Sequence, residues 1–296
     1  MDSRAVSVVI PAFNEAEAIG TVIREIREVL GPAAEIVVVD DGSSDGTAEV
    51  AAAAGARVVR QPYNIGNGAA VKAGIRTSRG DYVVLMDGDG QHPPSEIPRL
   101  VEQLERYDMA VGSRTSGSDS RFHRTLANRV YNALAGYVAD RPIPDLTSGF
   151  RGVRGAVLRR FVYLLPNTFS YPTTLTLALL RSGHSVTFVP FAVRRRIGRS
   201  KIRLIEDGAR FFVIILKIAT LFSPLRVFLP VSALFLFAGL GNYAYTFMKW
   251  GRFTNMSALM FINSILVFLL SLIAEQIAQM RMERSEADSI EPRRDD

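Results

Sequence analysis

The chain has 296 residues, 48% of them hydrophobic, no cysteine, and a formal net charge of +6. The missing thiols exclude disulfides and thiolate zinc sites, and the length allows one large or two modest domains. The basic balance by itself suits nucleic acid, a membrane surface or phosphorylated substrates, and its distribution along the chain leaves nucleic acid out of the expected partners.

In chain order, AVSVVI (5–10), EIVVVD (35–40), ARVVR (56–60), DYVVLM (81–86) and MAVGSR (109–114) are Val-rich runs bounded by Gly, Pro and Asp, which predicts five strands. The stretches 15–30, 45–55, 67–78 and 95–106 have helical composition and spacing. Such alternation predicts an α/β domain with an open, mainly parallel, Rossmann-like sheet and helices on both faces. Ligands of such sheets bind beyond the carboxyl ends of the strands. The N-terminus, MDSRAVSVVIPAFNE, does not read as a secretory signal, because its apolar run is short and enters a helix-breaking turn.

Polar residues gather where the strands end: PAFNE (11–15), DDGSSD (40–45), QPYNIGNGAA (61–70), DGDGQH (87–92) and GSR (112–114). Any one of these is ordinary turn chemistry, but five on one sheet edge make a candidate site. The glycine loop is not a dinucleotide fingerprint, since Val71 stands where the third glycine belongs and the loop follows the wrong strand. Its glycines suit a tight turn close to a phosphate or sugar. Asp87, Asp89 and Gln91 mimic positions 1, 3 and 5 of a calcium loop, but His92 and Pro98 replace the Gly and Glu that loop needs. What remains is a hard-oxygen set that suits Mg²⁺ or Mn²⁺, with His92 either a further ligand or a cap on the next turn.

Beyond residue 114, GSRTSGSDSRFHRTLANRVYN places Asn128 one helical turn after Arg124, beside Arg129. A basic run, RRRIGRSK, precedes RLIEDGARFFVIILKIATLF, which is too short and too charged to span a bilayer and reads as an amphipathic helix in the interface, over 201–224. Two charge-free stretches of 22 residues follow, 227–248 and 253–274, joined by KWGR. About 20 apolar residues cross a bilayer, so 225–280 is expected to be a transmembrane hairpin with spans near 227–248 and 254–275. Tyr243, Tyr245 and Trp250 would form an aromatic belt, and the cations before the hairpin outnumber Lys249 and Arg252 in its loop. The positive-inside bias places residues 1–200 and both termini in the cytoplasm, on an inner or plasma membrane. The hairpin also offers a surface for homo-oligomers. The polar tail, 281–296, is expected to be disordered.

PAFNE, VDDGSSDGT, NIGNGAAVKAGI, MDGDGQHPP, VGSR and DLTSGFRGVR, in this order, resemble the family 2 glycosyltransferases of the GT-A fold. More narrowly, the chain is similar over about residues 5 to 280 to the polyprenyl-phosphate branch, which includes dolichol-phosphate mannose synthase and bacterial undecaprenyl-phosphate glucosyltransferases. The resemblance implies that Pro11, Phe13, Glu15 and Asp40 hold the nucleotide-sugar donor, with Asp40 accepting from the base. It implies that Asp87 faces the ribose or sugar and that Asp89 and Gln91 hold the metal, Asp87 being a third candidate ligand. Arg195, Gly198, Ser200 and Lys201 fall on the pattern of a basic segment that closes over the diphosphate. Arg114, Arg124, Asn128 and Arg129 would hold the lipid phosphate, with Asp87, Asp89, Arg114 and Arg124 the catalytic set. Asn128 stands where relatives have a serine.

The acceptor also has a physical argument. A sugar hydroxyl needs a general base, whereas a phosphate monoester is already anionic. Thr173 and Thr174 stand where many relatives carry an acid, and the Gln-x-x-Arg-Trp signature of processive polysaccharide synthases is missing. The expectation is a membrane-anchored inverting transfer of a hexose, from UDP-glucose or GDP-mannose, to a polyprenyl phosphate. Transfer to a lipid or glycan hydroxyl is the alternative, and a non-catalytic scaffold gives no reason for acids at 40, 87 and 89.

Overall fold

The computed structural model describes residues 5–115, 132–133, 135–167, 170–194, 216, 219–220 and 223–290. Arg124, Asn128, Arg129, Arg195, Gly198, Ser200 and Lys201 lie outside the described residues, as does almost all of the expected interfacial helix. The chain divides into two compact units, Met1–Phe211 and Phe212–Asp296.

Among the described residues the first unit is built on seven strands: β1 (Val6–Ala12), β2 (Glu35–Asp40), β3 (Arg57–Arg60), β4 (Tyr82–Leu85), β5 (Met109–Arg114), β6 (Arg151–Arg154) and β7 (Val186–Phe191). Their order is β3-β2-β1-β4-β6-β5-β7. β1 lies parallel between β2 and β4, with Val9 opposite Val37 and Leu85. β6 runs the other way, pairing antiparallel with both β4 and β5 through Gly152. Its reversal brings the start of β6, and the loop before it, to the edge where β4 and β5 end. That placement builds half of the site described below.

The helices are α1 (Ala16–Leu30), α2 (Thr47–Ala53), α3 (Asn67–Thr77), α4 (Ile97–Gln103), α5 (Gly155–Phe161) and α6 (Tyr171–Arg181). In α1 the apolar residues Ile19, Val22, Ile23 and Ile26 fall on one face and are buried. Each contributes about 1.5–3 kcal/mol by leaving water. The helix stops at Gly31, which takes a φ of 80° that favours glycine and bonds its N–H to the Arg27 carbonyl. β1 is buried throughout, and its one polar residue, Ser7, donates to Glu35 Oε2 at 2.5 Å and accepts the Gly80 N–H at 2.8 Å. α3 packs closely on β1, since a Cβ on Gly74 would lie 2.3 Å from Val9 Cγ1.

The five expected strands and four expected helices are present; β2 and β5 keep their expected bounds, β1 runs on to Ala12 rather than stopping at 10, and the others are trimmed by one to three residues at an end. The last helix begins as a single 3-10 turn, Pro94–Glu96, and ends at Gln103 rather than 106. β6, β7, α5 and α6 were not anticipated.

The second unit contains α7 (Pro224–Trp250) and α8 (Asn255–Ile290), each with a stretch long and apolar enough to cross a membrane. They fold back on each other at Gly251, which adopts φ 62°. Ser232 Oγ donates to the Ser264 carbonyl and Ser264 Oγ to the Ser232 carbonyl, both at 2.9 Å. Asn242 Nδ2 donates to Ser257 Oγ at 3.0 Å, and Glu275 Oε2 accepts the Leu225 N–H at 3.1 Å. Interhelical bonds of this kind satisfy polar groups that lipid cannot. Leu234, Phe237, Ile265 and Leu270 point outward. Of the tail expected over 281–296, residues 281–290 continue α8 to Ile290 rather than being disordered, and 291–296 lie outside the described residues. Met, Arg, Glu and Ala favour helix there, and the first breaker is Pro292.

Candidate active site

The polar edge divides into two acid-rich loops and a clamp between β5 and β6. The first loop follows β2. Asp40 and Asp41 are both buried. Asp40 Oδ1 accepts the Ser43 N–H at 3.1 Å, and Asp41 accepts the N–H groups of Ile65 and Gly66 at 2.9 and 3.0 Å. Asp41 therefore pins the glycine loop at the start of α3. Gly42 is required there, with φ 72° and a hypothetical Cβ 2.6 Å from the Tyr63 backbone.

Asp45 ties this loop to the β1 loop, accepting the Ala16 N–H at 3.1 Å and bonds from Thr47 N–H and Oγ1. Burial pushes its carboxyl up, but these bonds outweigh burial and hold it below the usual range. Asn14, at φ 54°, accepts the Ser44 N–H and donates its own N–H to Ser43 Oγ. The Glu15 N–H donates to Thr47 Oγ1 at 2.9 Å. Pro11, Phe13, Glu15 and Asp40 are thus held in one neighbourhood by the pairing of β1 with β2.

The second loop follows β4. Asp89 is buried and accepts the Gln91 N–H at 3.1 Å, which folds the loop back on itself. His92 Nδ1 accepts the Asp87 N–H at 3.3 Å, so its proton sits on Nε2. The imidazole stacks on Phe150 at 5.2 Å and meets the edge of Phe191 at 5.9 Å. Burial drives its pKa down to about 4; the Asp89 charge opposes that shift and Arg114 adds to it. His92 is therefore neutral near pH 7, and its Nδ1 serves the Asp87 backbone. The turn that follows, Pro94–Glu96, has Pro93 at its N-cap and no side-chain cap, so His92 holds the loop before it rather than capping the turn after it.

The clamp comes from DLTSGFR. Arg114 Nε and Nη2 donate to Asp145 Oδ2 and Oδ1 at 2.7 and 2.8 Å, and Nη2 also donates to Thr147 Oγ1 at 2.6 Å. Burial raises the Asp145 carboxyl, but the Arg114 bonds and charge outweigh it and depress its pKa. The guanidinium of Arg114, opposed by burial, is raised by the same pair. Gly149 lies against Asp87, and a Cβ there would fall 2.6 Å from Oδ2. Sequence reading assigned no role to Asp41, Asp145, Gly149 or Arg151; the one signal for three of them was the DLTSGFR stretch.

Among the described residues no three His, Cys, Asp or Glu side chains gather as a metal site. The fitting set is instead two carboxylates two residues apart and the Gln91 amide, all hard oxygen donors. Gln91 is anchored, since its carbonyl accepts the Arg194 N–H at 3.0 Å while Arg194 Nη1 pairs with Glu25 at 2.6 Å.

A mainly parallel sheet with one reversed strand, carrying an Asp-Gly-Asp loop at the end of β4, defines a glycosyltransferase of the GT-A fold. Residues 7–162 match the model of glycosyl transferase family 2, and 223–280 match that of the GtrB C-terminal hairpin. The chain belongs to glycosyltransferase family 2. It is 31% identical over 255 residues to glycosyltransferase AglJ of Haloferax volcanii, covering 83% of this chain and 82% of that protein. It is 32% identical over 253 residues to the undecaprenyl-phosphate 4-deoxy-4-formamido-L-arabinose transferase of Sodalis glossinidius, covering 79% and 73%. Among solved structures, glucosyl-3-phosphoglycerate synthase from Mycobacterium tuberculosis with Mn²⁺, uridine diphosphate and glucosyl-3-phosphoglycerate superposes with a TM-score of 0.59. The identity is 25%, over 73% of this chain and 80% of that one.

Proposed function

We propose that this chain transfers a hexose from a nucleotide sugar, of the UDP-glucose or GDP-mannose kind, to a polyprenyl phosphate, with inversion at the anomeric carbon. A lipid phosphate oxygen attacks that carbon as the bond to the nucleoside diphosphate breaks, leaving a β-linked polyprenyl-phosphate sugar. Asp40 and the β1 loop hold the nucleoside, and Asp89 and Gln91, with Asp87, hold a Mg²⁺ or Mn²⁺ ion. That ion, when bound, offsets the charge developing on the departing diphosphate. Arg114, Arg124, Asn128 and Arg129 receive the lipid phosphate, and Arg195, Ser200 and Lys201 meet the diphosphate. The hairpin spans the membrane, with the first unit and both termini on the cytoplasmic side.

The observation that carries the acceptor is at α6. Its first turn holds no acid, and Thr173 and Thr174 are buried. Hydroxyls cannot serve as a general base near neutral pH, and an anionic phosphate acceptor needs none. The undecaprenyl-phosphate transferase of Sodalis glossinidius supports the lipid phosphate, and the Mn²⁺ and uridine diphosphate of the mycobacterial structure make UDP-sugars the first donors to try.

The test is a membrane assay with labelled nucleotide sugars, with and without added polyprenyl phosphate and chelator. Labelled lipid should form only with lipid phosphate and free divalent metal. Product formed without lipid phosphate would sink the acceptor; product formed in chelator would remove the metal.

A further inference from the structure

Arg151 has none of its surface exposed. Buried guanidinium groups are normally ion-paired, yet among the described residues no carboxylate lies within ion-pair distance of this one. Its Nη1 donates to the Pro172 carbonyl at 2.9 Å and to Thr176 Oγ1 at 3.2 Å, and its Nη2 donates to the Ser148 carbonyl. The Tyr171 ring lies 5.9 Å from its Cζ. Tyr171 in turn donates its hydroxyl to the Gly149 carbonyl at 3.3 Å. Burial lowers the guanidinium to about 10, so it stays charged, and the charges of Asp145 and Asp87 favour that state.

Ser148 and Gly149 therefore form a saddle. One side is gripped by Arg151 and Tyr171; the other lies directly under the Asp87 carboxylate. Stability alone is a weak reason for arginine here, because an apolar side chain of similar volume avoids the cost of burying charge. What arginine adds is a rigid fork with donors aimed in two directions, and a fixed cation beneath the acids.

We infer that Arg151, together with Tyr171, is a positioning residue that sets the height of the Ser148–Gly149 backbone under Asp87 and so shapes the divalent-cation site. This rests on the proposed role of Asp87 and Asp89 as that site. Neither side chain touches substrate; both act through the saddle.

The test uses full-length protein in detergent, with Mn²⁺ binding followed by electron paramagnetic resonance, UDP binding measured in chelator, and thermal melting of each variant. Arg151→Lys should weaken Mn²⁺ binding about tenfold or more, and Tyr171→Phe by a few-fold, as supporting residues around metal sites do. UDP binding in chelator should stay unchanged in both, a separation that general loosening of the fold would not produce. Tyr171→Phe removes only one hydroxyl and keeps the test open if Arg151→Lys does not fold. Mn²⁺ binding as tight as the parent in every variant that folds would overturn the positioning role. If Asp89→Asn also leaves Mn²⁺ binding intact, the metal reading itself fails; if Asp89→Asn abolishes it, only the positioning role falls.

Discussion

The two acid-rich loops on the sheet edge look alike in sequence and are used differently. After β2, Asp41 and Asp45 accept backbone N–H groups of Ile65, Gly66, Ala16 and Thr47, so these carboxylates staple three loops together. After β4, the Asp87 side chain is 36% exposed, lies over a glycine, and feels the charges of Arg114 and Arg151. Asp41 and Asp45 stabilise the frame, whereas Asp87 keeps part of its side chain toward solvent beside two guanidinium charges. The lesson is that an Asp at a strand end acquires its role from the donors that reach it, and most of those donors are distant in sequence.

That contrast is broken most sharply at Asp89. Asp89→Asn should lower metal-dependent turnover on the order of 10²–10³-fold, with the melting temperature within a few degrees of the parent. A variant that turns over normally would move the ligand role elsewhere. Gly149→Ala should lower turnover by about 10–100-fold, because its Cβ would displace the Asp87 carboxylate. Comparing its kcat with that of Gly241→Ala, where the backbone has no positive φ and an added Cβ meets nothing within 4 Å, separates this clash from glycine loss in general.

His92 should show itself in a pH titration of stability. Its folded pKa of about 4 lies below its unfolded value, so the unfolded chain binds the extra proton between those values. The His92 contribution is complete above pH ~6.5 and is lost as pH falls toward ~4, by up to about 3 kcal/mol. Denaturant melts of His92→Gln should lose that slope; an unchanged slope would assign it to other groups.

Asp145→Asn should cost about 2–3 kcal/mol, since it removes the charge-assisted bonds to Arg114. With the folded carboxyl depressed, this stabilisation is present above its unfolded pKa and fades as pH falls through the folded value. Denaturant melts at pH 7 and pH 3 should therefore differ less in the variant than in the parent. Asp41→Asn, the smallest of the five, should cost about 1–2 kcal/mol through weaker capping of Ile65 and Gly66. Its fingerprint is faster amide exchange at residues 65 and 66; unchanged exchange there would contradict the staple.

Local pattern determined a good deal of this protein by itself. Runs of Val and Ile between Gly, Pro and Asp are intrinsic to the chain, so β1 to β5 and the helices between them were legible. Two charge-free stretches of bilayer length made the hairpin legible in the same way. The Asp-Gly-Asp-Gly-Gln order, read against the absent glycine and glutamate of a calcium loop, singled out a hard-oxygen set. Only the tertiary structure decided the rest. β6 reads RGVR, half charged, and is a strand because it fills the gap between β4 and β5. Its Arg151 is a buried fork rather than a surface cation, because α6 supplies carbonyl, hydroxyl and ring partners 20 or more residues away. Arg114 meets Asp145 across 31 residues of chain. A sequence shows which groups can accept, donate or carry charge, but chain folding chooses the partners that decide whether each is structural or left to meet a ligand.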